Sequence, residues 1–206
     1  MEYIGDVLYD YASGLYVNLT NRCPCRCGCC IRTMVDSLGD ADSLWLKREP
    51  SAAEVKELLK DWGVGPDLSS KYDEIVFCGY GEPMVRLEEV LEICAYVKEH
   101  TRLRTRINTN GLSDLLHGRK TAPELKGLVD AVSVSLNTSS AEKYNDLCHP
   151  DFGLAAWPAI LEFTRDVKQY VPDVTMSVVS GSIPREDIEL CRSIAEHDLG
   201  VKFRVR

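Results

Sequence analysis

Five of the nine cysteines fall within the eight residues Cys23-Pro-Cys-Arg-Cys-Gly-Cys-Cys30. Inside that run Cys23, Cys27 and Cys30 have the spacing C-x3-C-x2-C. A register begun at Cys25 reaches Cys29 and then Arg32, which cannot ligate, so Cys25 and Cys29 stand outside the trio. A cubane [4Fe–4S] cluster is normally held by four thiolates; three leave one iron open, where a small molecule can bind and react. Five close thiols also suit tetrahedral zinc, and the spacing by itself leaves both readings open. Cys78, Cys94, Cys148 and Cys191 are dispersed and form no second close-spaced set, which argues for a single metal centre.

Three further strings carry polar or permissive residues. In Cys78-Gly-Tyr-Gly-Glu-Pro83 the glycines Gly79 and Gly81 would let the backbone approach a ligand, and Glu82 supplies a carboxylate. Ile107-Asn-Thr-Asn-Gly111 and Ser133-Val-Ser-Leu-Asn137 offer small amide and hydroxyl groups. Each string alone is ordinary turn chemistry. What lifts them is a shared position, at the C-terminal end of a strand, where βα loops build active sites.

The elements that would position these residues follow from periodicity. Six strand-like runs, Leu15 to Leu19, Glu74 to Cys78, Arg104 to Thr109, Ala131 to Leu136, Val174 to Val179 and Val201 to Val205, alternate with helical patterns. Ser51-Ala-Ala-Glu54 is a capping box, followed by Val55, Leu58, Leu59 and Trp62 on one face. Leu87, Val90, Leu91, Cys94 and Val97 mark the next helix, and others are suggested at Thr121-Ala-Pro-Glu124, at Ser139-Ser-Ala-Glu142, over Ile160 to Tyr170 and over Ile188 to Ala195. Residues 34–50 lack periodicity and read as a lid over the cysteines.

The strands alternate apolar and polar, as in Val132, Val134 and Leu136 against Ser133, Ser135 and Asn137. One face therefore packs under helices and the other lines a polar lumen. The expected fold is an α/β open partial (βα)6 TIM-type barrel in a single domain, residues 15–206, preceded by an N-terminal extension, residues 1–14, with room for an extra strand. Arg104, Arg106, Lys202, Arg204 and Arg206 on the polar faces suit a carboxylate or phosphate, although a solvated edge face would read the same way.

A net charge of -8 argues against broad binding to a nucleic-acid backbone. No apolar run approaches a membrane span, and the first residues lack a secretory pattern, so a cytoplasmic protein is expected. The chain ends at Arg206, directly after the sixth strand, so an extension with auxiliary clusters is not expected, and neither is peptide maturation.

The cysteine spacing, GxGEP, Asn-Thr-Asn-Gly and Ser-Leu-Asn, each after successive strands, together resemble the radical S-adenosylmethionine (SAM) superfamily across essentially the whole chain. Asn18-Leu-Thr-Asn-Arg-Cys-Pro24, Cys30-Ile-Arg32 and Gly39-Asp-Ala-Asp-Ser-Leu-Trp-Leu-Lys-Arg-Glu-Pro50 further resemble its small TatD-linked members, named for a genomic association with a TatD-type nuclease. The resemblance implies an oxygen-sensitive oxidoreductase or lyase in which Cys23, Cys27 and Cys30 ligate a [4Fe–4S] cluster. Its open iron takes S-adenosyl-L-methionine, and reductive cleavage gives a 5′-deoxyadenosyl radical that abstracts hydrogen from a small, anionic substrate. Gly79, Tyr80, Gly81 and Glu82 would meet the methionine amino group; Asn108, Asn110, Ser135 and Asn137 the ribose or carboxylate; Val179 and the Cys29 backbone the adenine. The implied partners are a reductant such as flavodoxin or ferredoxin and a functional link to the nuclease. A 7-deazaguanine-synthase-like ring contraction and a glycyl-radical activase are alternatives within the class. A non-catalytic Fe–S or zinc module partnering the nuclease is the alternative outside it. Two departures stand out: Cys29 replaces the aromatic residue common before the last cysteine, and Tyr80 replaces a frequent glycine.

Overall fold

The computed structural model describes residues 3–63 and 71–206; Met1 and Glu2 of the N-terminal extension lie outside the described residues. The chain forms two compact units, Met1–Cys23 with Ile31–Ile107 and Leu128–Asp130, and Pro24–Cys30 with Asn108–Gly127 and Ala131–Arg206.

In the first unit β1 (Leu8–Tyr11) and β2 (Gly14–Val17) form an antiparallel hairpin, Leu8 opposite Val17 and Tyr11 opposite Gly14. Strand β1 lies within the N-terminal extension and brings the strands among the described residues to seven, one more than the alternation suggests. Strands β2, β3 (Glu74–Phe77) and β4 (Arg104–Thr109) are parallel, with Tyr16, Val76 and Arg106 in register. Helix α1 (Ala52–Asp61) starts at the expected capping box: Ser51 Oγ accepts from the Glu54 N–H and the Glu54 carboxylate from the Ser51 N–H. Helix α2 (Leu87–His100) buries Leu87, Val90, Ile93, Cys94 and Val97.

The expected polar lumen is not what β2 and β3 provide. The face that carries Tyr16 and Val76 is filled by a buried cluster of these two with Tyr9, Leu44 and Tyr80, because packed rings bury more apolar area than a hydrated cavity would. Arg106, on the same face, pairs with Glu74 at 2.8 Å and donates to the Tyr16 hydroxyl at 3.3 Å. Its charge is thus answered by protein groups. Arg104 sits at the exposed start of β4.

Residues 34–50 are not a loose lid. Backbone bonds join Asp6 to Ser43, Lys47 to Ile4 and Asp40 to Asp10, while Asn18 donates to Leu44 O at 2.8 Å and Asn21 to Leu46 O at 2.7 Å. Leu44 is wholly buried. Gly39 makes the crossing possible: its φ is +62°, and a Cβ would stand 1.9 Å from Asp10 O. The irregularity that suggested a lid reflects side-chain and strand-edge anchoring in place of a helical repeat.

In the second unit β5 (Ala131–Ser135), β6 (Asp173–Val178) and β7 (Lys202–Val205) are parallel, with Ser135 beside Ser177 and Ser177 beside Arg204. The alternation behaves as expected here. Val134 and Met176 are buried, and Val134 packs close to Ile160 of α5 (Ala156–Val167), since a Cβ on Gly111 would meet both. The other face carries Ser133, Ser135, Thr175, Ser177, Lys202 and Arg204.

Helix α3 (Ser113–His117) has too few residues for a periodic signal. Thr121-Ala-Pro-Glu124 gives only a 3-10 turn, Ala122–Leu125, because the Thr121 hydroxyl is engaged by Asp114 at 2.9 Å and does not cap it. Helix α4 (Ala141–Cys148) is capped by Ser140, one residue later than the motif suggests, while Ser139 donates to buried Asp187 at 2.9 Å. Helix α6 (Arg185–Ser193) continues into a π-helical turn, Ile194–Asp198, before β7. Among the described residues no helix is long and apolar enough to cross a membrane.

Candidate functional site

In the first unit the site residues lie where the chain leaves β2 and β3. Asn18 is wholly buried, with Nδ2 held by Asp6 O at 3.1 Å and Leu44 O at 2.8 Å. Thr20 Oγ1 accepts from the Arg22 N–H and donates to Glu49, which also binds Arg22 at 2.6 Å and Arg86 at 3.0 Å. Burial pushes the Glu49 carboxyl up, but hydrogen bonds from Arg22 and Thr20 and the two guanidinium charges outweigh it and hold the group below its ordinary range. This network fixes the segment that ends at Cys23.

Residues 78–83 pack directly on that segment. A Cβ on Gly79 would stand 2.1 Å from Asn18 Oδ1, and one on Gly81 would stand 2.3 Å from Thr20 O and 2.6 Å from Arg22 O. The Glu82 N–H donates to Arg22 O at 2.8 Å. The two glycines are therefore required by neighbouring protein, a reason the motif alone did not disclose. Tyr80 is 3% exposed; its ring meets Trp45 edge-on at 5.1 Å and its hydroxyl donates to Val35 O. The side chain that replaces the usual glycine thus braces the segment following the cysteines. Glu82, also buried, accepts from the Met84 N–H at 3.1 Å and caps the turn Pro83–Arg86.

In the second unit the loop of residues 24–30 is moored to the C-terminal end of α4. The Arg26 N–H donates to Cys148 O at 2.8 Å, the Gly28 N–H to Leu147 O at 2.9 Å and the Asp151 N–H to Pro24 O at 2.8 Å. These loop amides satisfy carbonyls that a helix end otherwise leaves unpaired. Arg26 adds an exposed ion pair to Asp151 at 2.7 Å. Cys25 points inward, 2% exposed, against the Tyr144 hydroxyl at 3.7 Å. Cys27, Cys29 and Cys30 are part-exposed. Burial and the adjacent Cys27 raise the Cys29 thiol, while Arg206 works in the opposite sense.

The strand ends of this unit carry the expected polar groups. Asn108 Oδ1, Asn137 Oδ1 and Ser177 Oγ are buried without a protein partner. Buried polar atoms are nearly always paired, so these three are suited to the hydroxyls of a bound small molecule. Asn137 has φ +62° and donates to Cys148 Sγ at 3.5 Å. Asn110 accepts from the Leu112 N–H at 2.9 Å and donates through Nδ2 to Cys25 Sγ at 4.0 Å. Ser135 accepts from Arg206 at 2.8 Å and Ser133 from Arg204 at 3.3 Å, so both guanidinium groups reach across β6. Lys202 instead pairs with Asp173 at 2.9 Å. The Val179 carbonyl accepts from the Ser182 hydroxyl at 2.7 Å.

Two residues escaped the sequence reading. Ser177 belongs to the same period-two pattern as Ser133 and Ser135 and could have been found by extending that pattern to β6. Cys148 had no local signal. Its thiol is wholly buried and accepts from Asn137 Nδ2 at 3.5 Å, and the neighbouring Cys27 thiol together with burial raises it above the ordinary range.

Among the described residues no three His, Cys, Asp or Glu side chains converge on a single-ion site. Soft thiolates are the ligand type of an Fe–S cluster and also suit zinc. The donor chemistry, three soft thiols accompanied by buried acceptor oxygens, fits a cluster with a polar organic ligand.

Parallel strands alternating with helices, with a thiol-rich loop after β2 and polar side chains at the strand ends, define an α/β protein of the partial TIM-barrel class. Residues 17–194 match the Radical SAM superfamily, and the chain belongs to that family, whose members use a [4Fe–4S] cluster and SAM. It is similar in fold to SuiB of Streptococcus suis, solved with its precursor peptide SuiA, at 14% identity and a TM-score of 0.67, covering 96% of this chain and 40% of that one. A radical SAM methyltransferase from Sphaerobacter thermophilus gives 17% and 0.60, covering 96% and 57%. Methylornithine synthase, PylB, gives 17% and 0.60, covering 93% and 52%. The chain thus spans between 40% and 57% of the length of these three. No curated protein matches the sequence.

Proposed function

We propose that this protein is a radical SAM enzyme acting on a small anionic substrate. The observation that carries the reading is the C-x3-C-x2-C trio, Cys23, Cys27 and Cys30, in a chain that matches the superfamily over residues 17–194. When bound, the cluster and SAM together supply a 5′-deoxyadenosyl radical able to take a hydrogen atom from substrate. The trio holds three irons. Asn108 Oδ1 and Asn137 Oδ1 accept from ribose hydroxyls, in support of which both atoms are buried and unpaired. The backbone of residues 79–81 and the Glu82 carboxylate take the SAM amino group. Arg204 and Arg206 hold the substrate's anionic group, while Arg106 and Lys202, already paired with Glu74 and Asp173, contribute less. A protein reductant of the flavodoxin or ferredoxin kind delivers the electron.

The test is anaerobic reconstitution with iron and sulfide, then reduction with dithionite in the presence of SAM, with 5′-deoxyadenosine measured by mass spectrometry. Wild type should form it, and Cys27→Ala should not. Equal yields from the two proteins would sink the proposal, and zinc in place of iron in the purified protein would favour a non-catalytic module.

A further inference from the structure

Ser177 has no role in the function proposed above, yet it is 1% exposed and its Oγ is buried without a protein partner. It stands on the polar face of β5, β6 and β7, beside Ser135 on one neighbouring strand and Arg204 on the other. Arg204 donates to Ser133 at 3.3 Å, and Ser133 lies opposite Thr175, the residue that precedes Ser177 on this face. Arg206 continues the ladder past the end of β7, its N–H donating to Val178 O at 3.0 Å. Its guanidinium donates to Ser135 at 2.8 Å, directly opposite Ser177. The two arginine side chains therefore cross β6 on either side of Ser177, and its hydroxyl lies between them.

The charges on this face do not balance. Among the described residues neither Arg204 nor Arg206 has a carboxylate partner, whereas Lys202 pairs with Asp173. Each guanidinium instead donates to a neutral serine hydroxyl, a weaker acceptor than an anion. A carboxylate brings one charge and two oxygens, and a single guanidinium fork meets it in full. Two forks and the Ser177 O–H supply three donor groups and two positive charges. That set complements a phosphate monoester, with its three oxygens and a charge of about -1.5 to -2 at pH 7.

We propose that Arg204, Arg206 and Ser177 form a phosphate-binding site, so that the small anionic substrate carries a phosphoryl group. The inference rests on the reading of Arg204 and Arg206 as the substrate's anion site and names its chemical class. On binding, the two guanidinium groups exchange Ser133 and Ser135 for phosphate oxygens, and Ser177 donates its O–H to the third. A buried hydroxyl that the protein itself leaves unpaired is thereby satisfied.

The experiment is isothermal titration calorimetry of the anaerobically reconstituted full chain at low salt, with methyl phosphate and acetate as probes, for wild type, Ser177→Ala, Arg204→Gln and Arg206→Gln. Wild type at pH 7.5 should bind methyl phosphate about tenfold more tightly than acetate, the worth of one further charge-assisted hydrogen bond. That advantage should shrink at pH 5, where the ester keeps its second proton. Each of the three variants should weaken methyl phosphate about tenfold. Equal affinity of wild type for the two anions, lost in the arginine variants, overturns the phosphoryl assignment and leaves the anion site of the proposed function standing. Wild-type affinity for methyl phosphate in Ser177→Ala, or in both arginine variants, overturns the site itself. Binding of neither anion removes the proposed anion site and this inference together. Arg204 and Arg206 are exposed, so their variants keep the fold and the test stays decisive if Ser177→Ala is unstable. Formation of 5′-deoxyadenosine is read separately, so failure of the radical chemistry is told apart from failure of the phosphate site.

Discussion

Substituting Gly81 by alanine separates two reasons for a glycine in the GYGEP string. If Gly81 serves only the close approach of a ligand, alanine should leave the cluster-free protein as stable as wild type. The packing argues otherwise. The added Cβ would sit 2.3 Å from Thr20 O and 2.6 Å from Arg22 O, so both carbonyls must retreat by roughly 1 Å to reach ordinary contact, a rearrangement of the overpacking kind that costs about 1–3 kcal/mol. Moving Arg22 O also stretches the 2.8 Å bond from the Glu82 N–H beyond hydrogen-bond range. Losing that bond adds about 1 kcal/mol, for a destabilisation of about 2–4 kcal/mol in all. For a chain of this size such a loss lowers the melting temperature by roughly 5–15 °C. The assay is thermal unfolding of cluster-free wild type and Gly81→Ala, followed by circular dichroism. Melting points within 1 °C of each other would refute the packing argument and return Gly81 to a purely ligand-facing role.

The capping box gives a pH signature. Arg48, and then the Ser51 backbone and hydroxyl, hold the Glu54 carboxyl down at about 2, against an ordinary value of 4.5. Its stabilisation is therefore complete above pH 4.5 and fades as the pH falls toward 2; Glu54→Gln, which keeps an amide acceptor but does not titrate, should lose less urea resistance across that window, and an identical slope for the two proteins would count against the assignment. Thiol chemistry divides the cysteines. Cys94 and Cys191 are wholly buried, and burial pushes the Cys191 thiol up to about 12, so at pH 8 iodoacetamide should label Cys23, Cys27 and Cys30 of the cluster-free native chain long before either, as read by peptide mass spectrometry.

What could be read from the sequence was local. Ser51 and Glu54 are three residues apart and specify a helix start by themselves, and the alternation from Val132 to Asn137 needs only its own strand to declare two faces. Strand β1 gave a weaker signal, because Leu8-Tyr-Asp-Tyr11 pairs through its backbone and its burial comes from Tyr16, Leu44 and Tyr80 elsewhere in the chain. The basic row was misjudged at Arg106 for the same reason: its counter-charge, Glu74, lies on another strand. Residues 34–50 lacked a period because their partners are Asn18, Asn21 and the β1 segment, not their own helical neighbours. In the cysteine run the spacing singled out Cys23, Cys27 and Cys30, but the mooring of the loop on the carbonyls of Leu147 and Cys148 arises only once α4 ends against it.

That mooring gives the cysteine loop a kinetic identity of its own. A loop stabilised by its own turns opens independently of the body it decorates. Here the amides of Arg26 and Gly28 close on the last carbonyls of α4, so the loop can lift away only by uncapping the helix, and the helix cannot fray from that end without releasing the loop. The two behave as one cooperative opening unit. A newly made chain would fix the backbone around Cys27 only when α4 completes its final turn, which links the ordering of the cysteine loop to the folding of that helix.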